Sequence, residues 1–233
     1  MTPERRTALV AGLLYLVTFV SSIPAALLLS PVLTDPNYIV GPGADGQITL
    51  AAALDMVNAL ACIGTAVALY SVVKRQHEGF ALGFVTTRMF EAAVIVIGVV
   101  CVLSVVTLRK DGVTGTDAAS LVAVGRGLVA LRDWTFLLGP SLMPAFNAAL
   151  LGYLLYTSRL VPRIIPTVGL VGAPLLFAST VATMFGINDM TSVGTAIATL
   201  PIFLWELSVG LWMTFRGFNP SAPILAADKG VGT

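Results

Sequence analysis

The chain has 233 residues, of which 57% are hydrophobic and only 11% charged, with a mean hydropathy of +0.92. Soluble domains carry about 25% charged residues because they must hold a polar surface in water, so this composition belongs to the membrane class. The net charge of +1 excludes a strongly basic nucleic-acid surface and an acidic solvating tail, and no stretch is left for a separate soluble domain.

A spanning helix takes about 20 apolar residues. Six runs qualify in chain order: Ala8–Val32, Ile48–Val73, Phe80–Leu108, Trp134–Tyr156, Thr167–Gly186 and Val193–Phe215. The first follows Arg5 and Arg6 and contains Ile23-Pro24-Ala25-Ala26, which loosely resembles a signal-peptide cleavage region. Its apolar stretch continues through Leu29, past the roughly 7–15 residues of a signal h-region, so it reads as a retained span. Asp35-Pro36-Asn37 and Gly41-Pro42-Gly43 then break the chain.

Span two carries Ala51, Asp55, Asn58, Cys62, Thr65 and Leu69 at helical spacing. A small and polar stripe of this kind is costly against lipid, so it points inward. Lys74-Arg75-Gln76-His77-Glu78-Gly79 makes the turn into span three, where Arg88 and Glu91 share a face three residues apart and can pair. Charges within a span cost about 2.5–3.5 kcal/mol each and normally face the bundle with partners. Arg88 could therefore serve a local ion pair or hold an anionic group that a carboxylate orients.

The segment from Asp117 to Arg132 is apolar enough to bury but short, and it carries Arg126 and Arg132. One helix from Ala118 to Tyr156 would be about 58 Å long at 1.5 Å per residue, so it must bend or break, plausibly near Gly139-Pro140. The segment is expected to be an interfacial or re-entrant helix leading into span four, with a seventh crossing as the alternative. Arg132 and Asp133 are placed at the outer mouth of span four. Asp133, Pro140, Pro144 and Asn147 fall near one face, and each proline removes a helical N–H.

Pro162 and Pro166 bracket the next connection. Span five is rich in small residues (Gly169, Gly172, Ala173, Ser179, Thr180, Thr183), which let helices approach closely. Span six sets Thr195, Thr199, Ile202 and Glu206 on one face and holds no basic residue of its own. Arg88 is therefore the expected partner of Glu206.

With the N-terminus inside, the cytoplasmic side receives Arg5, Arg6, Lys74, Arg75, Arg159, Arg163, Arg216 and Lys229. The outer side receives Arg109 and Lys110, joined by Arg126 and Arg132 if these leave the core. The positive-inside rule then gives an N-in, C-in topology. The expected architecture is an all-α polytopic bundle forming one domain over residues 1–233, with a short cytoplasmic N-terminus (1–7) and a flexible tail (219–233).

Several chemistries fall away. The single histidine, His77, lies in a charged turn, and Cys62 and Cys101 sit apart in apolar runs as small buried residues. These cannot make a usual zinc, haem or iron–sulfur site, and no metal or cofactor is expected. Phosphate-binding glycine loops, nucleophile elbows and zinc-protease helices are absent from the sequence.

Arg88-Met89-Phe90-Glu91-Ala92, Gly152-Tyr153-Leu154-Leu155-Tyr156 with Ser158-Arg159-Leu160-Val161-Pro162-Arg163, and Pro201-Ile202-Phe203-Leu204-Trp205-Glu206 through Gly210-Leu211-Trp212 and Arg216-Gly217-Phe218 form an ordered set. Together they resemble a bacterial membrane family, the domain-of-unknown-function family 4386. The resemblance implies a six-to-seven-helix membrane fold and no particular activity.

Asp55, Asn58, Arg88, Glu91, Asn147 and Glu206 are thus the candidate ligand-binding residues, with Arg132 and Asp133 as a second polar group at the outer mouth. The leading expectation is a bacterial inner-membrane protein whose polar intramembrane site binds a small or lipid-like ligand, as a carrier would. A lipid or isoprenoid enzyme using Glu91 or Glu206 as acid or base is the alternative, and a structural or regulatory subunit a third reading. The bilayer is the expected surrounding partner; nucleic acid is not a partner, and no protein partner is specified.

Overall fold

The computed structural model describes residues 1–112 and 117–226. Among them, six helical stretches are long and apolar enough to cross a membrane, and no strand is present. Backbone N–H and C=O groups have no water partners in lipid, so each crossing must satisfy its own hydrogen bonds by being helical.

Helix α1 (Pro3–Leu28) starts where Thr2 accepts a hydrogen bond from the Arg5 N–H and Pro3 supplies a preset φ. A short α2 (Ser30–Thr34) and a 3₁₀ turn (Tyr38–Val40) lead into α3 (Asp45–Val73). His77 caps α4 (Glu78–Asp111) by accepting from the Phe80 N–H through Nδ1, so it serves a helix start rather than only a solvated turn. Gly112, with φ +43°, ends α4 in a left-handed conformation suited to glycine.

Segment 117–132 is not a separate element. It belongs to α5 (Ala118–Phe136), which lies alongside α4 and runs through a π-helical turn (Leu137–Ser141) toward α6 (Met143–Ser158). Residues 118–158 count as one of the six long apolar stretches, a helix broken once along its length. The break falls at Gly139-Pro140, as the length argument required. Proline lacks the N–H that would continue the ladder and clashes with the preceding turn, so the helix widens there.

Helix α7 (Ile164–Met184) follows, and α8 (Val193–Phe215) starts on Ser192, whose Oγ accepts from the Thr195 N–H. Neighbour packing closes a ring in the order α1, α3, α4, α6, α7, α8 and back to α1. Glycines set two of the closest approaches. A Cβ at Gly12 would stand 2.5 Å from the Thr214 backbone nitrogen, and one at Gly169 would stand 2.6 Å from the Trp205 ring. Gly169 and Gly172 of span five thus serve packing against α8.

Two apolar cores fill the ring. One contains Tyr15, Leu69, Phe84, Leu151, Trp205 and Met213, and lies toward the end where Arg5, Lys74, Arg159 and Arg216 gather. The other contains Leu29, Ile48, Ala59, Cys62, Ala92 and Val102, toward the opposite end. The former is called the basic end below.

Residues 219–226, read from sequence as the start of a flexible tail, pack instead on the basic-end core. The Asn219 N–H donates to the Leu160 carbonyl at 2.8 Å, Ala222 is fully buried, and α9 (Pro223–Ala226) contributes Leu225 to the core. A small alanine and an apolar leucine explain why this stretch stays against the protein. Residues 227–233 of that expected tail, Lys229 included, lie outside the described residues.

Candidate functional site

At the seam between the two cores a polar network is built from five helices. Arg88 reaches from α4 across the ring, and its Nη2 donates to Glu206 Oε1 of α8 at 2.8 Å. Its Nη1 donates to Glu91 Oε2 at 3.1 Å and to Cys62 Sγ of α3 at 3.6 Å. The guanidinium lies 5.0 Å from the centre of the Tyr15 ring of α1 and 6.0 Å from that of Phe84, close enough for cation–π attraction. Asn147 of α6 donates from Nδ2 to Glu91 Oε2 at 2.7 Å, and its Oδ1 accepts from the Thr87 hydroxyl at 2.6 Å.

Arg88 is 2% exposed and Glu91 5%, so this pair stands out of reach of bulk solvent. A buried pair is tolerable only when geometry is good and the remaining valences are satisfied. Here the pairs meet at hydrogen-bond distances and Asn147 fixes Glu91 from a third side. The expected Arg88–Glu91 and Arg88–Glu206 pairs are both present. Both terminal nitrogens of Arg88 are engaged by protein groups, while its Nε has no hydrogen-bond partner among the described residues.

Glu206 differs from Glu91 in facing open space. It lines a chamber of about 410 Å³ between α1, the π-helical turn, α7 and α8. Phe19, Phe136, Leu176, Ile202 and Phe203 make the walls apolar, and Ser141, Thr180, Thr195 and Thr199 add hydroxyls. Glu206 is the one charged residue among the described residues of this lining. The whole face predicted for span six, Thr195, Thr199, Ile202 and Glu206, therefore lines one space. Two of its lining residues, Ile23 of α1 and Phe203 of α8, are also partly exposed on the outside of the bundle.

Asp55 does not join the Arg88 network, whereas Asn58 reaches its edge, its Oδ1 accepting from the Cys62 thiol at 3.9 Å. Both line a second cavity of about 50 Å³ with Arg132, Gly98 and Thr135. Asp55 precedes Cys62 by seven residues, which on a helix is about 10 Å, so the same inward stripe serves two levels of the bundle. Arg132 is buried there over the Phe136 ring (4.7 Å) rather than standing at an outer mouth. The stem of an arginine can pack against apolar neighbours while its head reaches a polar partner. Asp133, its sequence neighbour, lines a different cavity of about 250 Å³ with Asp35, Tyr38 and Arg126. The small cavity and the chamber share Ser22, Ala26, Phe136 and Pro140 in their walls, so the two spaces adjoin.

Sequence reasoning overlooked three contributors. Tyr15 and Thr87 carry no signal, since an aromatic or a threonine inside an apolar helix is unremarkable by itself. The third is an ion pair near the end opposite the basic one, where Arg109 Nε donates to Asp45 Oδ1 at 2.7 Å, its Nη2 pairs with Asp45 Oδ2, and its Nη1 donates to the Gly41 carbonyl at 2.9 Å. The Tyr38 hydroxyl donates to Asp45 Oδ1, and burial, with that carboxylate nearby, raises the phenol above its ordinary range. Alternating topology places the start of α3 and the end of α4 on one side, which was the available clue.

A family model described as a domain of unknown function (DUF4386) matches residues 10–217, and the chain belongs to that family. No curated protein and no solved structure matches it.

Proposed function

We propose that this member of the family binds an amphipathic, lipid-like molecule in the chamber beside Glu206, with a cationic head against the carboxylate and an apolar tail among Phe19, Phe136, Ile202 and Phe203. The observation that carries the reading is the placement of Glu206: held from behind by Arg88, it puts the chamber's charge at one end of an apolar space. One guanidinium faces two carboxylates, so with both ionised the network is one negative charge in excess. That excess favours a cation over an anion. The exposed apolar residues Ile23 and Phe203 on the lining suit approach from lipid, and the adjoining cavity with Asp55 and Arg132 offers a next polar station, as a carrier requires.

The test uses purified protein in mild detergent and native mass spectrometry with hexadecylamine and hexadecanoic acid as probes. The amine should be retained and the acid should not, and Glu206→Gln should weaken amine retention by about tenfold or more. Equal retention of the acid, or undiminished retention of the amine by the variant, would overturn the reading.

The proposed location is a bacterial inner membrane with the basic end toward the cytoplasm, which the positive-inside rule supports. In intact cells S221C, at an exposed position of that end, should react with a membrane-impermeant thiol reagent only after permeabilisation. Labelling from outside would reverse the orientation.

A further inference from the structure

Two stretches of the sequence motifs, Ser158–Arg163 and Arg216–Phe218, take no part in the chamber, yet the fold brings them together. The α6 helix stops at Arg159, whose left-handed φ of 57° turns the chain toward α7. The segment after α8 is stitched onto that turn: the Asn219 N–H donates to the Leu160 carbonyl at 2.8 Å, and Asn219 Nδ2 to the Arg159 carbonyl at 3.4 Å. The result is a notch of about 560 Å³ at the basic end, lined by Arg159, Arg163 and Arg216 together with Trp212 and Asn219.

Among the described residues no carboxylate lines this notch, and none of the three arginines makes an ion pair. Solvated arginines that only set topology would be expected to spread apart, since like charges repel. Here three are collected on one concavity. Arg163 is positioned in advance, its guanidinium 4.9 Å from the centre of the Tyr156 ring and its Nε donating to the Tyr156 carbonyl at 3.4 Å. The indole N–H of Trp212, on the same wall, has no hydrogen-bond partner among the described residues.

Next to the notch the surface turns apolar. Phe215 is 73% exposed and Ile164 70%, and both adjoin its residues in sequence. Guanidinium groups fit phosphate oxygens in geometry and charge, and tryptophan, tyrosine and arginine at helix ends mark the level of lipid headgroups. We infer that the notch is a binding site for the phosphate headgroup of an anionic phospholipid, whose acyl chains lie along Phe215 and Ile164. A free phosphate would satisfy the arginines equally; the exposed apolar skirt argues for the lipid.

The test is native mass spectrometry of the purified protein titrated with phosphatidylglycerol or phosphatidylcholine of identical acyl chains, with and without millimolar inorganic phosphate. Phosphatidylglycerol should be retained about tenfold more strongly. The triple variant R159Q/R163Q/R216Q should lose that preference, while K110Q, at the opposite end, should keep it. Should the triple variant fail to fold, R163Q and R216Q separately should each weaken the preference severalfold. Equal retention of the two lipids, or an unchanged preference in the arginine variants, would overturn the site. Displacement of the lipid by inorganic phosphate would overturn the lipid assignment and leave a site for the free anion.

Discussion

Arg88→Met should lower the unfolding free energy by about 3–5 kcal/mol, read as a large drop in the melting temperature of the protein in mild detergent. Methionine replaces the stem of the arginine with little change in packing, so the loss falls on the charge. Glu91 and Glu206, at 3.1 and 2.8 Å from the guanidinium in the parent, would face each other across the ring without a cation between them. Asn147 would still donate to Glu91, but one neutral amide cannot balance two carboxylates. The control is R88M/E91Q/E206Q. Removing every charge of a buried group is often close to neutral, whereas removing one partner is not, so the triple variant should recover most of the loss. A fall of less than about 1 kcal/mol in the single variant would mean that water or an ion already screens these carboxylates.

Much of this architecture is legible in the sequence because membrane folding leaves few choices. Run length fixes the crossings, and the cost of an isolated charge in lipid turns Arg88, Glu91 and Glu206 into one problem with one solution. Glu206 could be matched with Arg88 across 118 residues by elimination, since span six offers no cation. The break in the fourth crossing was likewise forced, because a straight helix over residues 118–158 overshoots the bilayer. The order of helices around the ring is a different matter. It depends on contacts such as Gly12 against Thr214 and Gly169 against Trp205, and any small-residue stripe can accept several partners. For the same reason Asp55 was grouped with Arg88: both lie on inward faces, and facing inward does not fix depth. Arg132 lies more deeply packed than its place near the start of an apolar run suggests, because α5 continues through the π-helical turn past it.

The two carboxylates of the network should be individually dispensable and jointly required. In Glu206→Gln the guanidinium keeps Glu91 as a counter-charge, and the new amide oxygen can still accept from Nη2; in Glu91→Gln the same holds with the partners exchanged. Each single variant should therefore cost no more than about 1 kcal/mol, the net scale of one hydrogen bond. Because the network starts with an excess carboxylate, the first neutralisation leaves a balanced pair. E91Q/E206Q leaves Arg88 with no counter-charge, only neutral acceptors (Cys62 Sγ and the new amide oxygens) and two aromatic faces. Cation–π attraction of about 0.5–2 kcal/mol is too small to offset the several kcal/mol needed to keep a cation buried, so the double variant should lose about 3–5 kcal/mol. A double-mutant cycle on unfolding free energies reads the excess over additivity, expected at about 2 kcal/mol or more. Additive losses would contradict the shared-cation geometry. A network with only one counter-charge would instead make Glu206→Gln the costly change, and the two 2.8–3.1 Å contacts to Arg88 are what separates these cases.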